Sequence, residues 1–136
     1  MSESENYSSA AFRHWEDAQL LAGENRVENA DQLYSLAAEC AIKKALIELP
    51  AFAKAGMLDK PYQRHINELW EKVKHQSLQN RYPTLLAILK DINHFSDWDI
   101  NQRYVAGGVI SLETMQKHRE KAKRLLGAVG LTGQRK

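Results

Sequence analysis

The stretch NADQLYSLAAECAIKKALIELP, residues 29–50, decides the predicted fold. Its apolar residues recur at spacings of three, four and seven, which is the period of one helix face. They are Leu33, Leu36, Ala37, Cys40, Ala41 and Ile47. Asn29 followed three residues later by Gln32 is a plausible capping pair, and Pro50 ends the pattern because proline cannot continue a helix. The stretch therefore predicts a long helix with one buried face.

The segment before this helix predicts another helix of similar length. Ser8 or Ser9 is a suitable N-terminal cap, and Gly23 is a natural end. The residues that follow one apolar face are Ala11, Trp15, Ala18 and Ala22. Two neighbouring helices with a short connection between them are expected to pack antiparallel.

After Pro50 the chain predicts a connection over residues 51–60, with about one helical turn. Pro61 suits the first position of a third helix that ends before Pro83. The apolar stripe of that helix comprises Tyr62, Ile66, Leu69, Trp70 and Val73. A short fourth helix over residues 84–93 is almost entirely apolar, so it is expected to lie in the core, where burial of apolar surface drives folding.

The last helix is predicted to start at Ser111, which is a suitable cap. Glu113 lies in its first turn and basic residues lie in its last turn, the distribution that the helix dipole favours. Gly127 and Gly130 are expected to close it, and Gly107-Gly108 predicts a turn ahead of it. No strand pattern or internal repeat is visible in the sequence.

These elements together predict an all-α protein, an up-and-down antiparallel bundle of four to five helices. The predicted organisation is a disordered polar tail over residues 1–8, a single bundle domain over 9–127 and a flexible basic tail over 128–136. A chain of 136 residues is the size of one domain.

Composition limits the classes of function. Hydrophobic residues make up 43% of the chain and charged residues 26%, as in soluble globular proteins. No apolar run approaches the roughly 20 residues that cross a bilayer, and the N-terminus is polar and acidic, unlike a secretory leader. We therefore expect a cytoplasmic protein without membrane contact. The net charge of +2 gives no strong case for general nucleic-acid binding, and the single Cys40 excludes an intramolecular disulfide.

Residues 95–104, FSDWDINQRY, form the densest candidate site. The guanidinium of Arg103 is suited to a two-point contact with phosphate or carboxylate. The indole of Trp98 is suited to stacking on a base, and Asp99 and Tyr104 add polar groups beside it. This composition predicts a polar ligand pocket.

The same segment also has a purely structural interpretation, which rests on equally sound physical grounds. Ser96 or Asp97 is a suitable helix cap, with Asp99 stabilising the first turn. Trp98 is then a core residue, and Arg103 pairs with Asp99 four residues before it. The sequence leaves both interpretations open.

Two further residues are candidates for the same pocket. His65 is expected at the edge of the buried face of the third helix, either as a packing residue or as an acid or base. Lys44 falls in line with the apolar residues of the second helix, so its stem either reaches solvent or aims the charge at an anion. His94 with Asp91 and Asp97 has the spacing of metal ligands but supplies only one imidazole, so no metal is predicted.

The order of these features resembles the HEPN family, the higher-eukaryote and prokaryote nucleotide-binding helical domain. The matching text is AAECAIKKAL over residues 37–46, HINEL over 65–69, and Leu89 followed by Trp98 and Arg103-Tyr104. The resemblance spans about residues 10–126. It implies a four- or five-helix bundle that often forms a dimer.

Many members of that family are RNA-cleaving toxins, while others bind nucleotides beside a nucleotidyltransferase or only assemble complexes. The ribonuclease members carry an Arg followed about four to six positions later by a His. None of the five histidines here follows an arginine at that spacing. The resemblance therefore implies a member without the ribonuclease motif.

The leading hypothesis is a non-catalytic HEPN-like domain that binds a nucleotide-like anion or RNA, or a protein partner such as a nucleotidyltransferase. No cofactor is predicted, and a homodimer is expected. The predicted ligand residues are Lys44, His65, Trp98, Asp99, Arg103 and Tyr104. One alternative is a divergent ribonuclease that uses His65 and Arg103, and another is a purely structural dimerisation scaffold.

Overall fold

The computed structural model describes residues 3–91, 95 and 111–131, with side chains from residue 7 onward. Within these residues the chain forms five α-helices, which confirms the predicted all-α class. They are α1 (Glu3–Gly23), α2 (Val27–Leu46), α3 (Ile66–Lys72), α4 (Pro83–Leu89) and α5 (Leu112–Ala128). None of the helices searched has the length and apolar character needed to cross a membrane.

Helices α1 and α2 form an antiparallel hairpin with a tight turn. Helix α1 ends at Gly23, as predicted, but it begins at Glu3, ahead of the predicted cap at Ser8 or Ser9. Asn25 adopts the left-handed conformation (φ 62°), which Asn tolerates better than most residues. Trp15 of α1 packs edge-on against Tyr34 of α2 with ring centroids 5.3 Å apart.

Helix α2 is the centre of the fold, as the quoted stretch predicted. It starts at Val27 with Arg26 at the cap position, so the predicted capping role of Asn29 is wrong. Much of its buried surface is alanine, at positions 30, 37, 38, 41 and 45, all of which are fully buried. Small side chains let neighbouring helices approach closely, and α2 makes extensive contact with both α1 and α5.

Helix α5 runs in the same direction as α2 and opposite to α1. His118 of α5 contacts Asp31 near the start of α2, and Lys44 near the end of α2 contacts Val129 just after α5. The predicted cap at Ser111 is confirmed, because its hydroxyl accepts a hydrogen bond from the backbone N–H of Thr114 at 3.1 Å. Helix α5 continues through Gly127 to Ala128.

The region between α2 and α5 differs most from the prediction. The connection after Pro50 contains a two-stranded antiparallel hairpin, β1 (Ala53–Lys54) and β2 (Met57–Leu58), which the sequence analysis did not predict. Ala55 and Gly56 both have positive φ, the conformation that a tight type I′ hairpin turn needs. A two-residue strand is too short to show alternation in the sequence.

The predicted long third helix is wrong. Pro61 lies in a 3₁₀ turn (Lys60–Tyr62), α3 covers only Ile66–Lys72, and a second 3₁₀ turn follows at His75–Leu78. Leu69 and Leu78 are both fully buried. Nine residues apart on a continuous helix they would point in opposite directions, so burying both requires a break between them. Helix α4 lies in the core as predicted but ends at Leu89.

Candidate functional site

Four of the six predicted ligand residues lie outside the described residues. These are Trp98, Asp99, Arg103 and Tyr104. The predicted pocket in the 95–104 segment therefore stays a prediction, as does the structural interpretation of the same residues. His65 and Lys44 are described, and their surroundings differ from those of a shared pocket.

His65 lies at the N-cap of α3 and contacts a buried carboxylate of α2. Its Nδ1 is 3.2 Å from Glu39 Oε1, and the same oxygen accepts a hydrogen bond from the backbone N–H of Ile66 at 3.1 Å. Glu39 Oε2 accepts a hydrogen bond from Lys43 Nζ at 2.9 Å. Glu39 therefore accepts a hydrogen bond from a backbone N–H at the N-terminus of α3, which is a favourable place for a negative charge. The same contact joins α3 to α2.

Lys44, near the end of α2, places its ammonium group at the C-terminal end of α5. Its Nζ donates to the backbone carbonyl of Val129 at 3.1 Å and is 3.1 Å from Glu48 Oε2. A cation at a helix C-terminus is favourable because the helix dipole is negative there. Lys44 and His65 thus contact different carboxylates, and the structure does not bring them together at one site.

Glu48 is the centre of a network on this side of α2. Its Oε1 accepts hydrogen bonds from the Tyr82 hydroxyl at 2.5 Å and from Arg81 Nη2 at 3.1 Å. Desolvation by burial acts to raise the pKa of Glu48, but the hydrogen bonds from Tyr82 and Lys44 and the nearby charges outweigh it, so the pKa is lowered. Burial and the contact with Glu48 raise the pKa of Tyr82 to about 12.

A second buried polar contact joins α2 to α5. Asp31 Oδ1 lies 2.5 Å from His118 Nδ1, and both side chains are almost completely buried. The His118 ring stacks on Phe95 with centroids 4.7 Å apart, and Phe95 in turn contacts Trp70. This pair is enclosed by the core, so it is placed to hold the helices together rather than to meet a ligand.

Cys40 is a buried thiol on α2. Desolvation by burial, together with the charge of Glu39, raises the pKa of this thiol to about 12. A nucleophilic cysteine needs the opposite shift, toward the thiolate at neutral pH. Cys40 is therefore a packing residue, as its position in the apolar face of α2 predicted.

A cleft opens between the end of α3 and the end of α4. Its volume is about 440 Å³, which lies within the range of small-molecule sites, roughly 300–1,000 Å³. The apolar part of its lining consists of Trp70, Val73 and Leu89, and each of these side chains is itself almost completely buried. The ligand-facing surface is therefore supplied mainly by polar residues.

Two lysines and one histidine line this cleft, Lys74, Lys90 and His75. Across the described part of the chain none of the three forms a hydrogen bond or an ion pair. The cleft also has two carboxylates, and both are engaged. Asp91 Oδ2 accepts a hydrogen bond from Lys121 Nζ of α5 at 3.1 Å, and Glu71 has a partner of its own.

The charge balance of the cleft follows from these contacts. The lining itself carries two lysines and two carboxylates, and Lys121 adds a third cation through its contact with Asp91. Among the described residues no carboxylate forms an ion pair with Lys74 or Lys90. A cleft with excess charge of one sign concentrates ions of the opposite sign. The arrangement therefore suits an anionic ligand.

These residues did not stand out in the sequence, where Lys74 falls within the predicted third helix and Lys90 within the predicted fourth. The break after Lys72 turns Lys74 and His75 toward the end of α4. The signal in the sequence is Leu78, whose spacing from Leu69 does not fit the stripe of a single helix.

The described residues contain no group of three or more His, Cys, Asp or Glu side chains arranged to hold a metal ion. No family model, no curated protein and no solved structure matches this chain.

Proposed function

We propose that this protein is a non-catalytic helical domain that binds a nucleotide-like anion in the cleft between α3 and α4. The observation that carries the proposal is that Lys74 and Lys90, with His75 beside them, line the cleft and form no side-chain hydrogen bond or ion pair with the described residues. Elsewhere in the described chain the buried and half-buried lysines Lys43, Lys44 and Lys121 are each bonded to an acceptor. Exposed lysines such as Lys60 and Lys123 do not line this cleft. Unbonded cations around a concave surface are available to a ligand.

Lysine is suited to phosphate because its ammonium group donates charge-assisted hydrogen bonds to phosphate oxygens. The imidazole of His75 adds a further nitrogen at the same wall. The nucleotide-like character of the anion is supported by the resemblance to the HEPN family, which remains a prediction. The predicted ligand residues outside the described part of the chain remain predictions; they are Trp98, Asp99, Arg103 and Tyr104. Lys44 and His65 are assigned to the frame, by which we mean the side-chain contacts of α2 with α3 and with α5, including Asp31–His118.

The two alternatives have less support from the described residues. In a ribonuclease, His65 would need to act on substrate, but its ring contacts Glu39, which also binds the backbone of α3. In a dimerisation scaffold, large exposed apolar residues would be grouped. The described ones, Leu20, Met57 and Leu112, belong to three different elements.

Isothermal titration of ATP into the purified protein tests the proposal. The variant Lys74→Gln/Lys90→Gln removes two positive charges from the cleft and keeps side chains of similar length. We expect wild-type protein to bind ATP and the variant to bind it at least about tenfold more weakly, since each charge-assisted hydrogen bond contributes of order 1.5–3 kcal/mol. Binding should also weaken as salt is added, because salt screens exposed charges.

The matched control is Lys60→Gln/Lys123→Gln, which removes the same charge from two exposed lysines outside the cleft. ATP affinity in this control should stay within about twofold of wild type. Equal weakening in both double variants would mean that only net charge matters, and wild-type affinity in Lys74→Gln/Lys90→Gln would show that the cleft is not the site. Either result, or no binding by wild type, would overturn the proposal.

A further inference from the structure

We infer that Lys121 is a positioning residue of the cleft between α3 and α4: it holds the Asp91 carboxylate and offsets its charge, and so sets the affinity for an anion. The inference rests on the proposed function, because it concerns the affinity of the same site. Lys121 lies on α5, outside the cleft lining, whereas Asp91 belongs to that lining. Lys121 therefore acts on the ligand through Asp91 and does not contact it.

The formal charges of the lining are balanced when its imidazole is neutral. Lys74 and Lys90 supply two positive charges, and Glu71 and Asp91 supply two negative charges. Such a lining gives an anion little net attraction, because carboxylates repel it as ammonium groups attract it. Lys121 shifts the balance, since its Nζ lies 3.1 Å from Asp91 Oδ2. The positive excess around the cleft therefore depends on a residue of α5.

The two side chains of this ion pair differ in burial. The Lys121 side chain is 6% exposed, whereas that of Asp91 is 51% exposed. A buried ammonium group is costly unless it is paired and hydrogen-bonded, and Lys121 Nζ donates a hydrogen bond to Asp91. Because Lys121 is enclosed, leaving Asp91 would not bring its ammonium group into water. The contact is therefore expected to persist, while Asp91 stays open to the cleft.

The backbone places Asp91 beside one of the proposed ligand lysines. Helix α4 ends at Leu89, and the backbone N–H groups of Lys90 and Asp91 donate to the carbonyls of Leu86 and Ile88 at 3.1 and 3.0 Å. Lys90 and Asp91 are thus neighbours in the chain and line the same cleft. An anion at Lys90 lies within the reach of the Asp91 charge, since charges act over about 10 Å at 0.1 M salt. Offsetting the charge of Asp91 therefore strengthens binding.

The test is isothermal titration of ATP into the full chain and three variants. Asp91→Asn keeps a side-chain oxygen that accepts from Lys121 but removes the negative charge, so ATP should bind at least about threefold more tightly, which corresponds to about 0.7 kcal/mol. Lys121→Gln leaves the charge of Asp91 without its offset, so ATP should bind at least about threefold more weakly. The double variant Asp91→Asn/Lys121→Gln has the net charge of wild type and should bind ATP within about twofold of wild type.

The signs of these changes distinguish a charge effect from a purely structural contact. If the ion pair only held the cleft in shape, both single variants would weaken binding and the double variant would not recover it. Salt gives a second readout. Raising the ionic strength from about 0.01 M to about 0.15 M shortens the Debye length from about 30 Å to about 8 Å, so both single-variant effects should shrink.

The matched controls make the same charge changes outside the cleft. Asp17→Asn on α1 and Lys123→Gln on α5 alter exposed side chains that do not line it. ATP affinity in each control should stay within about twofold of wild type, because salt screens distant exposed charges. Changes as large as those in Asp91→Asn and Lys121→Gln would show that net charge alone sets the affinity, which would overturn the inference.

The outcomes separate this inference from the proposed function. If Lys74→Gln/Lys90→Gln loses ATP binding but Asp91→Asn does not bind more tightly than wild type, the anion site stands and the inference is wrong. The inference is also wrong if Lys121→Gln binds like wild type. If wild type does not bind ATP, or Lys74→Gln/Lys90→Gln binds like wild type, both fail. A circular dichroism melt establishes that each variant is folded; if Lys121→Gln is not, Asp91→Asn decides the question.

Discussion

The buried and half-buried lysines of the long helices differ in their contacts from the exposed lysines that line the α3–α4 cleft. On α2 and α5 the lysines that are at least half-buried contact acceptors at close range: Lys43 bonds to Glu39, Lys44 to Val129 and Glu48, and Lys121 to Asp91. Around the cleft, Lys74 and Lys90 are exposed and have no partner among the described residues.

This difference bears on the stability of the fold and on the proposed binding of an anion. A buried or half-buried charge is costly unless it is paired and hydrogen-bonded, so the bonded lysines are expected to matter for folding. An exposed unpaired lysine contributes little to folding, but it loses little when a ligand arrives because no internal contact must break. Under the proposed function, the buried and half-buried lysines thus stabilise the fold, and the exposed lysines of the cleft contact the ligand.

The largest expected effect is at the buried pair between α2 and α5. Asp31→Ala removes the partner of His118 and leaves a buried polar ring with a lost contact, so we expect a loss of about 3 kcal/mol in the free energy of unfolding. Urea denaturation measures it. Asp17→Ala, an exposed acidic position on α1, is the control and should change the value by less than about 0.5 kcal/mol. If Asp31→Ala also changed the free energy of unfolding by less than about 0.5 kcal/mol, the contact between Asp31 and His118 would not stabilise the fold.

A smaller loss is expected where α3 joins α2. Glu39→Ala removes the acceptor of the Ile66 backbone N–H and of His65 and Lys43, so the free energy of unfolding should fall by about 2 kcal/mol. In the variant, backbone amides at the start of α3 should exchange hydrogen faster than they do in wild type, whereas those of α5 should change less. Equal protection of α3 in wild type and variant would contradict the assigned role of Glu39.

The smallest of these effects is a pH dependence. The pKa of Glu48 is lowered in the folded protein from its ordinary value of 4.5. The folded state therefore binds this proton less readily than the unfolded state, so the stabilisation is fully present above pH 4.5 and is lost as the pH falls through the folded value.

Glu48→Gln has no carboxylate to protonate at this position, so its free energy of unfolding should decline less steeply than that of wild type as the pH falls below about 4.5. Urea denaturation at a series of acidic pH values measures both slopes. Glu68→Gln, at an exposed position of α3, is the matched control and should follow wild type. Parallel curves for wild type and Glu48→Gln would contradict the network around Glu48.

The sequence predicted the long helices because they have strong local signals. The apolar period of residues 29–50 predicted α2, and Ser111 with Glu113 predicted the start of α5. The β1–β2 hairpin and the break between α3 and the following turn have weak local signals. Both features depend on which side chains become buried when the whole chain folds. Such tertiary contacts override local propensity.

The candidate site was less predictable than the fold. Lys44 and His65 stood out in the sequence because each occupies an unusual place on a helical pattern, and the structure gives each an internal partner. Lys74 and Lys90 did not stand out because exposed lysines are common. Only their placement around one cleft distinguishes them, and placement depends on where α3 ends.

The most direct test of the central claim is a thermal melt of three proteins, wild type, Lys44→Gln and Lys74→Gln/Lys90→Gln, each with and without ATP. A ligand that binds only the folded state raises the melting temperature. We predict that Lys44→Gln melts lower but keeps the ligand-induced rise, whereas Lys74→Gln/Lys90→Gln melts like wild type and loses the rise. If the double variant keeps the rise, or if Lys44→Gln loses it without melting lower, the division between frame and ligand lysines is contradicted.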